Sequence, residues 1–277
     1  MTEHVLVFGV GGGIPARMRA FGETAGQKVA TSVLCWPGHL AAMDDPKDHG
    51  RIVVLRPDAS DEEWIALARA VDAVEPVTRI GCFFDDCLPQ AALVAQVLGL
   101  DWHTPELVDL VMDQQAMRRR LAQAGVQAGM QAGVQAEADT AMGRAGVPYS
   151  VEAFSERGEH VVVAITHTHS DPGDPLARER VTPVPLEAAQ TEAIDRHVRA
   201  VLDALGVEFG PTHTEVVLTG HGPRVTATRL RTGVGVPMNA VTGARGVDLI
   251  EWQLRQTLGE KVLPGIRATV GPVDELR

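Results

Sequence analysis

Apolar positions in the first hundred residues come in short unbroken runs separated by stretches with a three-to-four repeat. His4-Val5-Leu6-Val7-Phe8 is a run of the kind buried on both faces of a parallel sheet. Gly9-Val10-Gly11-Gly12-Gly13 then turns the chain into a helix predicted over 14–22. Further strands are predicted over 29–35, 52–55 and 79–84. A helix is predicted over 61–74, where Trp64, Leu67, Ala68 and Val71 share a face and Asp61 can cap, and another over 89–98. Strands alternating with helices specify a parallel α/β sheet. Thr104-Pro105-Glu106 has the order of a helix start, and Asp113 starts the next helix, which stops at Gly125.

The pattern then changes. Residues 123–137 read QAGVQAGMQAGVQAE, a near-repeat of four with few large side chains to bury, so the stretch is either an Ala/Gln helix or a linker. The expected organisation is an α/β domain over 1–122, a low-complexity linker over 123–147 and a second domain over 148–277. In that last part, strands are predicted over 149–154 and 161–165, joined by a turn at Arg157-Gly158. An amphipathic helix over 186–205 ends at Gly206. Strands over 212–219 and 224–228 flank Gly220-His221-Gly222, and a helix over 246–258 stops at Gly259. This half reads as α+β with antiparallel pairing.

Composition narrows the classes. The 277 residues are 45% hydrophobic and 22% charged, which excludes a disordered or fibrous chain. Acidic residues outnumber basic ones 36 to 25, a formal charge of −11 that argues against nucleic acid and anionic membranes as partners. Three cysteines, Cys35, Cys82 and Cys87, without metal-ligand spacing, fit a reducing cytoplasm. The start MTEHVLVFGVGGG lacks the basic segment and apolar stretch of a signal peptide, and no window is long and apolar enough for a membrane span. The expected localisation is therefore cytoplasmic. Few aromatics (4%) and abundant Ala, Val, Gly and Arg suggest a GC-rich bacterial genome.

Four sets of residues could carry chemistry. GVGGG lacks the third glycine of a dinucleotide fingerprint, has Pro15 after it, and no acidic residue closes the second strand, which favours a tight strand-to-helix turn. Asp85-Asp86-Cys87 follows the fourth strand, at the edge where parallel sheets bind ligands; it is either an acid–base pair or a solvated turn, and Cys87 has no obvious histidine partner. Arg118-Arg119-Arg120 reads as a solvated helix face. His167 and His169 share a strand face, as do His213 and Glu215. If those strands were neighbours, the four could hold zinc or non-haem iron.

Several segments resemble the ATP-grasp superfamily, in particular the biotin-carboxylase-like carboxylate–amine ligases. Leu98-Gly99-Leu100 through Thr104-Pro105-Glu106, Asp113 and Ala116-Met117-Arg118 are similar to its LGL…PE…DK..MR block. Tyr149-Ser150-Val151-Glu152-Ala153-Phe154 is similar to its EYSVEAF strand, Gly210 to Glu215 to its G..H.E strand, and Gly243 to Leu249 to its tGvDLv helix start. The blocks come in the family's order and reach from the N-terminus to about residue 260. The resemblance implies a parallel-sheet N-terminal domain and a truncated α+β ATP-grasp-like C-terminal domain.

The departures bear on function. The family's lid, whose lysines hold nucleotide phosphates, falls between Gly125 and Tyr149, where this chain is short and has no lysine. The family's DK lysine is Gln114 and its hinge glutamate is Pro148. Its late magnesium ligands, Glu and Asn, are Ala227 and Arg229, while Glu215, Arg231 and Gly233 keep the pattern. Acyl-phosphate chemistry needs magnesium and cations on the β/γ-phosphates, so Mg-ATP is not the expected cofactor. The expected function is a degenerate ligase relative that binds a small carboxylate or amino-acid-like metabolite in a biosynthetic pathway. Glu215 and Arg231 are the candidate catalytic residues, and Arg229, Arg231, His213 and Glu152 the candidate binding residues. The alternatives are a metal-dependent enzyme using the cluster His167, His169, His213 and Glu215, with a divalent metal as cofactor, or a ligase completed by a partner chain. A second copy of the chain is a further candidate partner.

Overall fold

The computed structural model describes residues 2–9, 13–43, 46–129, 147–169, 180–182, 186–233 and 247–271. The chain divides into two compact units, Met1–Asp109 with Glu251–Lys261, and Leu110–Ile250 with Val262–Arg277.

In the first unit β1 (Thr2–Phe8), β2 (Lys28–Cys35), β3 (Arg51–Val54) and β4 (Arg79–Cys82) form a parallel sheet in the order β3-β2-β1-β4. The chain builds outward from β1 through β2 to β3, then returns to place β4 on the other side of β1. That reversal makes the C-terminal ends of β1 and β4 the switch point of the sheet, where crossovers leave in opposite directions, the place at which open α/β sheets generally bind ligands. The helices are α1 (Ile14–Thr24), α2 (Pro37–Ala41), α3 (Asp61–Val74) and α4 (Leu88–Leu98). Leu6, Phe8, Met18, Leu34 and Trp64 are fully buried in the core, with Phe8 stacked on Trp64 at 5.9 Å. Ser60, rather than Asp61, caps α3, and its N–H donates to Glu63 Oε2 at 2.8 Å. β4 ends at Cys82, short of the predicted 84, because Asp85–Cys87 already turns as a 3-10 helix. Residues 251–261 complete this unit, with the Arg255 guanidinium 5.3 Å above the Phe21 ring.

α5 (Pro105–Met112) and α6 (Gln114–Gln123) start where the sequence places them. Leu107 N–H donates to Thr104 Oγ1 at 3.2 Å, and Asp113 Oδ1 accepts from the N–H groups of Gln115 and Ala116. α6 belongs to the second unit, since Arg120 Nε donates to Ala204 O at 2.8 Å on α7 (Ala188–Leu205). The first division between the units therefore falls at Asp109/Leu110, ahead of the boundary expected at 122. The start of the low-complexity stretch lies along the second unit, where Gly129 N–H donates to Val225 O at 2.7 Å. The rest of it, 130–146, is outside the described residues.

The second sheet is antiparallel, in the order β7-β6-β5-β8-β9, from β5 (Val147–Glu156), β6 (Glu159–His169), β7 (Arg180–Thr182), β8 (Phe209–Thr219) and β9 (Gly222–Arg229). Arg157 and Gly158, at φ 53 and 75, supply the two left-handed residues that a two-residue hairpin loop requires. α7 buries Ile194, Val198, Val201, Leu202 and Leu205 and packs on β6, β8 and β9. α8 (Leu249–Thr257) is followed by α9 (Leu263–Val270), which packs on β5 and β6 and was not predicted, because Pro264 and Gly265 hide its apolar period. The expected fold class, a parallel α/β sheet with an α+β second part, is the observed one. Among the described residues no helix is long and apolar enough to cross a membrane.

Candidate functional site

Residues directly opposite in an antiparallel sheet share a face. Glu152 of β5 is opposite His213 of β8, which is opposite Arg229 of β9, and Ser150, Glu215 and Ala227 form the adjacent row. Both pairings that flank β5 and β8 are interrupted here, by a bulge after Glu152 against β6 and one after Glu215 against β9. Bulges re-aim side chains at such places. Four of the expected residues, Glu152, His213, Glu215 and Arg229, thus come together on one face.

Glu152 is 2% exposed, a buried carboxylate that needs donors. It has two: Oε1 meets His213 Nδ1 at 2.5 Å, and Oε2 accepts from Gly233 N–H at 3.0 Å. Burial works against a charged His213. The hydrogen bond to Glu152 and the charges of Glu152 and Glu215 outweigh it and raise the imidazole above the ordinary histidine range, with Arg231 opposing. Glu215 Oε1 is 3.9 Å from Arg229 Nη2, and both side chains are about one-third exposed. Arg231 Nη1 donates to Thr232 O at 2.9 Å. β9 ends at Arg229, so the period of two that would align the two arginines does not reach Arg231, although its charge is felt at His213.

The histidine set divides. His167 is opposite Tyr149, with ring centroids 5.5 Å apart, and so lies on the face away from Glu152, His213 and Glu215. His169 continues β6 opposite Arg180; its side chain is outside the described residues. Among the described residues the second unit assembles no three His, Cys, Asp or Glu donors within 4.8 Å of one another. The convergence of His167 with His213 and Glu215 failed because β6 contacts β5, with β8 on the far side of β5. Elsewhere on this unit a groove of about 370 Å³ is lined by Arg196, His197, His221 and Pro223, among others, and includes none of the site residues above.

In the first unit, His39 on α2 meets the turn after β4, its Nε2 2.9 Å from Asp86 Oδ2. Sequence reading left Cys87 without a histidine, and His39 supplies one: donor atoms of His39, Asp86 and Cys87 all lie within 4.8 Å of one another. The buried Cys87 thiol is pushed far up by burial, with nearby Cys82 and Asp86 adding to it, which does not favour a free thiolate nucleophile. His39 gave no signal in the sequence, because it is 47 residues from Asp86 and belongs to a five-residue helix.

No protein-family model matches the chain, and no curated protein sequence matches it. Solved structures do match. An L-amino acid ligase from Bacillus licheniformis aligns at TM-score 0.76 and 18% identity, covering 98% of this chain and 77% of the other. A phosphoribosylglycinamide synthetase from Anaerococcus prevotii aligns at 0.71 and 11%, covering 95% and 77%. The biotin carboxylase domain of a single-chain bacterial carboxylase aligns at 0.64 and 16%, covering 98% and 71%. At such identities the likeness establishes the fold, which is ATP-grasp-like, of the kind found in carboxylate–amine ligases.

Proposed function

We propose that this ATP-grasp-like protein derives from carboxylate–amine ligases and binds a small carboxylate or amino-acid-like metabolite of a biosynthetic pathway on the β5-β8-β9 face, without the usual Mg-ATP-dependent ligation. The observation that carries this reading is the register of β8 and β9. It sets Arg229 beside His213 and pairs it with Glu215, at the strand position where the resemblance would have a magnesium-binding Asn, with Ala227 in place of the Glu. Magnesium holds to several oxygen ligands and is bound through carboxylates. Here a guanidinium stands beside the one retained carboxylate, and a second, Arg231, is close by. Planar guanidinium forks match a carboxylate's two oxygens. His213, held toward its charged form by Glu152, adds a donor on the same face.

Calorimetry on the full chain tests the first half: micromolar affinity for Mg-ATP would overturn it. Native mass spectrometry of the freshly purified protein tests the second. A retained small acid is expected, and R231A is expected to lose it, since one charge-assisted hydrogen bond contributes about 1.5–3 kcal/mol. If R231A lowers stability while retaining the ligand, the arginine is a scaffold group and the binding site lies elsewhere.

A further inference from the structure

We propose that His39, Asp86 and Cys87 form a binding site for a zinc-class divalent ion at the switch point of the parallel sheet. The three donors are an imidazole, a carboxylate and a thiol, and their ligand atoms lie within 4.8 Å of one another. Mixed N, O and S donors suit zinc, and three protein ligands leave its fourth position for water or a substrate oxygen. The fold brings them together at the end where α/β sheets open a crevice: Asp86 and Cys87 form the turn that leaves β4, and His39 lies on the helix that leaves β2.

Two further observations point to a group belonging there. His39 Nδ1 is buried and has no hydrogen-bond partner among the described residues. Buried polar atoms are ordinarily satisfied, so this open nitrogen on the imidazole that meets Asp86 is an exception in the fold. Gly9 ends β1 at φ 68. A Cβ there would sit 3.5 Å from Cys87 Sγ and 3.6 Å from His39 Cε1, so glycine keeps the space before two of the three donors open. On binding, the ion takes the place of the Cys87 thiol proton, which passes to solvent.

The test uses full-length protein stripped with chelator and titrated with cobalt(II), followed by zinc. One equivalent of cobalt should give a thiolate-to-metal charge-transfer band, and zinc should abolish it. C87S should lose the band. H39Q and D86N, whose side chains are partly exposed and should fold normally, should weaken cobalt affinity more than about 100-fold, because even outer-shell partners of a bound metal contribute about 10–100-fold. No band in the wild-type protein overturns the proposal, as does a band that persists in C87S. If C87S fails to fold, unchanged affinity in H39Q and D86N overturns it equally.

Discussion

The two units assemble polar groups in different ways. In the second, Glu152, His213 and Arg229 are brought side by side by strand register: Glu152 and His213 lie on inner strands with a neighbour on each flank, Arg229 lies on the edge strand β9, and Glu152 is buried with two donors. In the first, His39 and Asp86 meet through segments that leave the ends of two parallel strands, and the Asp86 side chain is half-exposed. A register-built site cannot lose a buried member such as Glu152 without leaving buried partners unsatisfied. A site built from strand-end turns can lose an exposed member at little cost to the fold.

The sharpest way to break this comparison is a pair of substitutions. E152L strands the Gly233 N–H and the His213 ring in a buried place and is expected to cost about 3 kcal/mol. D86A in metal-free protein removes a solvent-screened contact and should cost less than about 0.5 kcal/mol. Urea denaturation measures both, and equal losses would erase the distinction.

Two histidines should give pH limbs of opposite sign. Burial pushes His103 of the first unit down to about 4. A depressed folded value means that the unfolded chain binds the proton more readily. Stability should therefore fall as pH drops below about 6.5 and level off near pH 4, a loss on the order of 3 kcal/mol. H103Q should flatten that limb. His213 is raised, so its contribution is complete below about pH 6.5 and is lost as pH climbs through its folded value. Proton NMR of the imidazole resonances should place His213 above the ordinary range in the wild type, and E152Q should bring it back down. A His213 resonance that ignores E152Q would remove the pairing from the account of the site.

An effect smaller than that of E152L concerns the hairpin that sets the register of β5 against β6. G158A should cost about 1 kcal/mol, since an L side chain at φ 75 is strained, whereas R157G should be neutral or slightly stabilising because Arg157 already sits at φ 53. Thermal unfolding of the two variants decides it.

Much of the second unit's candidate site was legible in the chain. Glu152, His213, Glu215 and Arg229 fall on strands whose period of two assigns each to a face, and the order of the family-like blocks places them near one another. What could not be read was which strand lies next to which. β6 is separated from β8 by β5, and that arrangement sends His167 to Tyr149 instead of to His213 and Glu215. The unit division was also hidden, because α6 follows α5 after a single residue while its packing partner, α7, lies some seventy residues later.

Local pattern determined the elements themselves: the buried apolar run of β1, the caps at Thr104 and Asp113, and the left-handed turn at Arg157 and Gly158 all depend on neighbours a few residues away. Tertiary structure alone decided that His39 would meet Asp86 and Cys87, and that Glu152 would stand against His213. Those meetings join residues many positions apart, and no local preference records them. They follow from which strand is accepted as whose neighbour, a choice made by burying the two sheets as wholes.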